Sequence, residues 1–471
     1  MRHIISCLTL TFILLGQAFG QQFKGMDFND EATMEVARKT GLTRSLMQVP
    51  SEASIKAFAP FPKNQGAFGT CTAWASSYCA HTIVKAINTG MTNREEITRI
   101  AYSPAFLFRM LKPDDQSCNG GSVLVYALEL MKTKGALPYT AVPMACIPSI
   151  TEAQLQQAAQ EKIADYVRLF DVTADANQKI HSIKKSISER KPVVFGMKTP
   201  NSFDHAKEVW VPTEEPSSVK TGHAMCVVGY DDKKYGGSFE IQNSWGVQWG
   251  NQGYIWIKYE DLARYTDYAF ELVELPIAKP NQVDLSGEIQ LLMADQSSVP
   301  LNLLESTRGL KVTSANQTSP LTYYQTKKPF YAGDRFRIHI LNNQPAFVYA
   351  FSADDSQIIS KLFPHSDNIS PALTDSKNEV IIPDEQHYIE FDEVAGKEEL
   401  CILYCKSPLD FNQFLADLKK QQGSFSEKIY QTLKNKLVDP KHIDFSKEKV
   451  AFQSKSQGKD IVSLIIKMDH K

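Results

Sequence analysis

The pattern of apolar and polar positions divides the chain near residue 276. Upstream, long helical runs are mixed with buried strands; downstream, short alternating segments dominate. Residues 72–88 carry small and apolar side chains at helical spacing, without Gly or Pro until Gly90, and so predict a helix with Cys71 on its first turn. Helices are also predicted at 102–110, where Pro104 suits a first turn, at 123–134 ended by Gly135, at 151–165, and at 180–190 before Lys191-Pro192. A further short helix is predicted at 30–39. The run 193–197 reads as a buried strand, and an apolar strand opens at His223 and ends in a turn at Asp231-Asp232.

After Pro276 the segments 289–293, 335–341, 347–351, 380–382, 388–391 and 400–404 are separated by clusters such as Asn342-Asn343-Gln344-Pro345. Such spacing predicts an antiparallel β-sandwich. Two amphipathic helices, 410–419 and 426–436, and the strand-like runs 449–453 and 461–467 are expected to edge it. The basic end of the second helix, Lys434-Asn435-Lys436, reads as a solvated face. The fold class expected is α+β, with boundaries at 1–20, 21–50, 51–276, a linker at 277–286 and a β-rich region at 287–471.

Length and charge narrow the picture. With 471 residues, two or three domains can each bury a core, and a net charge of −2 gives no reason to expect a nucleic-acid partner. Arg2 and His3, the apolar run 4–15, and small residues at Ala18 and Gly20 predict a secretory signal peptide cleaved after Gly20. That run is short for a membrane span and no other stretch approaches the necessary length, so the mature chain is expected to be exported (secreted, periplasmic or at the cell surface) and soluble. Of eight cysteines, Cys7 lies in the leader; the seven that remain are an odd number, consistent with one free thiol. Cys401 and Cys405 stand four apart on a strand, about 13 Å at about 3.3 Å per residue, so they are expected as core thiols and not a bridge. His365 and His387 show no metal spacing, and neither metal nor cofactor is expected.

The candidate chemistry centres on Cys71. At a helix N-terminus the unpaired N–H groups and the macrodipole favour an anion, which eases ionisation of a thiol. Gly66 and Gly69 allow tight turning beside it, and Gln65 can offer a side-chain N–H to an oxyanion together with the N–H of Cys71. A lone cysteine is more often a buried thiol, and Cys79 and Cys226 are expected to be of that kind. Two later segments change that for Cys71: Thr221-Gly222-His223-Ala224, and Gln242-Asn243-Ser244-Trp245-Gly246. His205 beside Asp204 reads as a solvated loop histidine, and His81 and His181 read the same way.

Cysteine, histidine and asparagine in this order and context, with Ser117-Cys118-Asn119-Gly120-Gly121, resemble the papain family of cysteine peptidases over roughly 51–276. The resemblance implies a two-lobed domain, one lobe helical and one an antiparallel β lobe. It further implies a Cys71–His223 thiolate–imidazolium pair poised before substrate arrives, Asn243 orienting the imidazole, Trp245 shielding that contact, and Gln65 in the oxyanion hole. Gly120, Gly121 and Gly222, with Trp245, are implied to meet a substrate backbone like an added strand. Cys118 is expected to bridge Cys146 in an oxidising compartment. The sequence departs from the family in having Phe68 where a bridging cysteine is usual, and Thr72 where an aromatic usually follows the nucleophile. The segment before residue 51 is also much shorter than the family's usual inhibitory prosegment, which leaves latency open. Tyr331-Ala332-Gly333-Asp334, Leu362-Phe363-Pro364-His365 and Ala395-Gly396-Lys397-Glu398 resemble an uncharacterised β-rich domain of exported bacterial proteins.

Two function classes follow. One is a secreted endopeptidase acting on peptides or proteins, with the β-domain positioning it on a substrate, envelope or partner. The other is a peptide-binding module or thiol acyltransferase on the same fold. Retention of Gln65, Cys71, His223 and Asn243 together argues for the first.

Overall fold

The computed structural model describes residues 23–40, 48–274, 282–304, 321–374 and 378–471. The expected signal peptide lies outside them. Among the described residues no helix is long and apolar enough to cross a membrane.

Residues 71–89 form one continuous helix, π-helical over Trp74–His81, that ends where Gly90 takes φ 69°. Its small side chains allow it to be buried on all sides from Cys71 to Val84. Pro104–Leu111 and Leu124–Thr133 pack beside it as predicted. Its other flank meets a sheet ordered Asp165–Arg168, Thr266–Val273, Val193–Lys198, Gly222–Asp231, Ser238–Gln242 and Tyr254–Lys258, all antiparallel, with Val209–Trp210 added parallel at the end. A helical part and an antiparallel sheet therefore share one core, as the α+β expectation requires.

Several boundaries differ from expectation. The helix expected over 151–165 ends at Ala158, and Asp165–Arg168 is instead the edge strand of the sheet, with Tyr166 and Val167 buried in different clusters. The helix expected over 30–39 covers only Asp30–Glu35; Val36 is extended and the next residues pair with neighbouring backbone. His81, expected in solvent, is buried, stacked on Tyr102 at 4.0 Å between centroids, with Nε2 3.2 Å from Glu274. The helix carrying it is enclosed on every side, which a single-helix pattern does not reveal.

The C-terminal region is a two-sheet sandwich. One sheet runs Glu379–Ile382, Arg335–Asn342, Leu285–Met293, Val450–Ser454, Ile443–Phe445; the other runs Leu301–Leu304, Tyr323–Thr326, Ile461–His470, Gly396–Cys405, Ala346–Asp354, Ile359–Phe363. The first strand begins at Leu285, inside the expected linker. Ile461–His470 and Val450–Ser454 lie inside their sheets, correcting the expectation that they edge the sandwich. Ile461–His470 is long and apolar because both of its faces are covered, whereas Val450–Ser454 is short and buries alternate residues.

Val348 and Ala350 face the core between the sheets, whereas Phe347, Tyr349 and Phe351 face the helices Phe411–Lys420 and Phe425–Leu433. Cys401 and Cys405 lie buried and free on this second side. Val167 and Val273 of the upstream sheet join the same cluster, so the two regions share an apolar seam. Phe351 lies 5.4 Å and 5.5 Å, between centroids, from Phe414 and Phe425. Phe351→Ala is expected to cost about 3–5 kcal/mol, read as a lower guanidinium midpoint for unfolding of the C-terminal region.

Candidate active site and the strap across it

The loop before Cys71 is fastened to the loop after Gln242. Gln65 N–H donates to Ser244 C=O at 2.8 Å and Gly246 N–H donates to Lys63 C=O at 3.1 Å. One seam therefore positions both Gln65 and Asn243. The Ser244 hydroxyl donates to Gln65 Oε1 at 2.6 Å, which fixes the carboxamide and points its NH2 group towards the sulfur loop. Cys71 follows on the first helical turn, and the segment Cys71–Ala73 packs on the strand Gly222–Asp231 that carries His223.

Asn243 Oδ1 lies 2.7 Å from His223 Nε2 and also accepts the Ser244 N–H at 2.7 Å. An oxygen that accepts from both requires a proton on Nε2, which leaves Nδ1 with the lone pair of a base. That Nδ1 is buried and has no hydrogen-bond partner. The N–H of Ala224, next in chain to His223, lies against the Cys71 sulfur. Trp245 covers the imidazole, with centroids 4.6 Å apart, and is backed by Phe203 and Trp249. His205 is exposed on a loop, away from this cluster.

The cleft is filled by the chain's own residues 23–28. Phe23 C=O accepts from Gln65 Nε2 at 3.2 Å and from Trp245 Nε1 at 3.3 Å. Lys24 Nζ pairs with Asp204 at 2.8 Å. Gly25 crosses above the nucleophile so closely that a Cβ there would collide with Gly69 O, and its C=O accepts the Ser122 N–H at 2.9 Å. Met26–Asp27 then runs parallel to Ser122–Val123 on one side, with Met26 opposite Gly222 on the other. The Met26 side chain enters a recess floored by Gly196, where a Cβ would collide with Met26 Sδ.

Of the residues expected to meet a substrate backbone, Gly121, Gly222 and Trp245 all touch this strap. Gly120 does not: its N–H donates to Asp115 at 2.7 Å. Sequence reasoning missed the strap itself, the recess at Gly196 and the Ser244–Gln65 bond. The only local sign of the strap was a mixed polar stretch with apolar residues at Phe23, Met26 and Phe28.

The strap changes the electrostatics. Cys71 and His223 are both 0% exposed. Burial pushes the Cys71 thiol up to about 11, against the pull of the nearby N–H groups of Ala224, Gly25 and Thr72. Burial also pushes His223 down to about 4, opposed by its bond to Asn243 and assisted by the Lys24 charge. Each shift disfavours the charged form of its group, so burial under the strap works against the ion pair expected from the sequence.

Away from the cleft, Cys118 and Cys146 are disulfide-bonded, with Cα atoms 6.0 Å apart. Cys79 and Cys226 are buried and free, as expected.

Residues 54–268 match the papain family cysteine protease family, and residues 329–408 match a domain of unknown function, DUF4384. Among curated proteins the chain is similar to a cathepsin L-like proteinase of Fasciola hepatica, 23% identical over 54% of this chain and 76% of that protein. It is also similar to vignain of Vigna mungo, 28% identical over 41% of this chain and 49% of vignain, so it spans about half the length of that relative. Among solved structures it is similar to xylellain, a cysteine protease from Xylella fastidiosa, with 20% identity, a TM-score of 0.44, and coverage of 54% of this chain and 97% of that one. Residues 54–268 thus carry a papain family cysteine protease domain, and a separate DUF4384 domain follows it.

Proposed function

We propose that this chain is an exported cysteine endopeptidase, held latent by residues 23–28, in which Cys71 is the nucleophile, His223 the base and Asn243 its orienting partner. The observation that carries this reading is the 2.7 Å contact between His223 Nε2 and Asn243 Oδ1, which leaves the buried, unpartnered Nδ1 as the base.

Once the strap leaves, water and substrate dipoles replace its apolar cover, and the cost of separating charge between sulfur and imidazole falls. His223 Nδ1 takes the thiol proton, and the thiolate attacks a peptide carbonyl. The resulting oxyanion is held by Gln65 Nε2 and the Cys71 N–H. Phe23 C=O already occupies the Gln65 donor, so the strap places a carbonyl where a substrate would have to place one. His223 then protonates the departing amine, and water hydrolyses the thioester. A peptide-binding module or an acyltransferase would not be favoured by any further feature of this cleft. Export is supported by the Cys118–Cys146 bridge, since such bonds persist in oxidising compartments.

In a Met26→Asp background, which opens the cleft, Cys71→Ser is expected to abolish cleavage of a dipeptidyl fluorogenic amide, whereas Cys226→Ser retains most of it; hydrolysis by the chain carrying Cys71→Ser would refute the assignment. Gln65→Ala is expected to lower kcat by about 10²-fold to 10³-fold. Alkylation of Cys71 reads its protonation, because only the thiolate reacts. In the strapped chain the rate should keep rising with pH towards a midpoint of about 11. In Met26→Asp, whose carboxylate cannot stay buried in the recess, the midpoint should move down; an unchanged profile would mean that the strap does not control the thiol.

A further inference from the structure

The strap pairs with the cleft over only two residues, Met26–Asp27, and so short a strand is weakly held by itself. Its far end is fastened much more firmly, at a junction of both domains. On the protease side, Arg168 N–H donates to Ala37 C=O at 3.0 Å, and Lys39 N–H donates to Arg168 C=O at 2.8 Å. On the DUF4384 side, Arg38 N–H donates to Asn368 C=O at 2.7 Å, Ser370 N–H donates to Arg38 C=O at 2.9 Å, and the Thr40 hydroxyl donates to Ser370 C=O. Arg38 thus acts as a one-residue strand between the edge of the protease sheet and the loop 368–370, parallel to both.

The next side chain makes the same connection with charge. Lys39 Nζ lies 2.8 Å from Glu189 and 2.7 Å from Glu271, and Glu271 is fully buried. The second oxygen of Glu271 accepts the hydroxyl of Thr374, from the C-terminal domain, at 3.0 Å. Burial alone would lower the Lys39 pKa, but the two carboxylates outweigh it and hold the ammonium charged.

We propose that the C-terminal domain is the latch of the protease: by pairing with Arg38 and Thr40 through the loop 368–370, it keeps the strap seated over Cys71. This rests on the latency reading above and extends it to regulation. The strap is already joined to the protease by the chain, and fixing its far end shortens the free tether, which raises the effective concentration of the two-residue strand over the cleft. A partner or surface that pulls the loop 368–370 away would lower that concentration and open the cleft without any cut in the chain.

The test uses the full-length chain with two substitutions remote from the cleft. Arg38→Pro removes the N–H given to Asn368 but leaves Ala37 C=O and Lys39 N–H paired with Arg168. Thr40→Val removes the hydroxyl given to Ser370. The readout is the rate at which iodoacetamide alkylates Cys71, located by peptide mass, and the other free thiols among the described residues are all buried. Arg38→Pro should raise that rate about tenfold, as expected for one to two hydrogen bonds lost, and Thr40→Val about threefold. Met26→Asp serves as the reference for an opened cleft. If Met26→Asp labels fast while both latch variants label at the wild-type rate, the latch is refuted and latency stands. If Arg38→Pro fails to fold, Thr40→Val decides by the same criterion. Fast labelling of the latch variants without amide hydrolysis would leave the latch intact and refute the peptidase assignment instead.

Discussion

Everything at the site depends on a helix of small residues lying flush against one strand. Residues 71–84 are buried all round, which is possible because the positions between Trp74 and Tyr78, and Cys79 and Ala80 after them, carry so little bulk. Ser76 and Ser77 can be buried because their hydroxyls donate to the carbonyls of Thr72 and Ala73, four residues back. The helix is π-helical from Trp74 to His81, a widening often found at functional sites. Close contact with Gly222–Asp231 then packs the turn that carries the sulfur on the strand that carries the imidazole. A bulky residue on that helix face would part the two groups, whatever their identities.

Against this rigid seam the strap acts through solvent. The contact between His223 and Asn243 is intact beneath it. It removes water from both groups and brings a lysine charge near the imidazole, and each effect disfavours the ion pair. The parallel pairing of Met26–Asp27 with Ser122–Val123 uses the backbone positions that an added peptide strand would need. Latency of this kind requires only a few residues, consistent with a segment too short for the usual inhibitory domain.

The sequence made the chemistry legible because each piece is encoded locally. Cys71 sits at a helix start after two glycines, His223 opens an apolar strand, and Asn243 is followed by Ser-Trp-Gly. The strap was illegible for the opposite reason: residues 23–40 have little structure of their own and are ordered by what they lie against. The same cause explains the shortened helix at Asp30–Glu35, since Arg38 is claimed by a sheet edge and by the loop 368–370. His81 was misread because its burial comes from neighbours on every side of its helix. The terminal strands were misplaced because alternation reports which face is buried and says nothing of order within a sheet.

The apolar seam between the domains explains how the junction at Arg38 can bear load. Asp165–Arg168 is the edge of the protease sheet, and an open edge invites pairing with other chains. Here the edge is covered by Lys39 and Arg38, while Val167 beneath it packs into the cluster of Phe347, Tyr349 and Phe351. The domains are therefore registered by packed side chains as well as by the covalent connection between them. Because packed interfaces resist small displacements and yield to large ones, the loop 368–370 holds its place until the seam itself is pulled apart. Covering the edge and holding the strap are thus one structural solution, since the residues that close the sheet also tether the segment that closes the cleft.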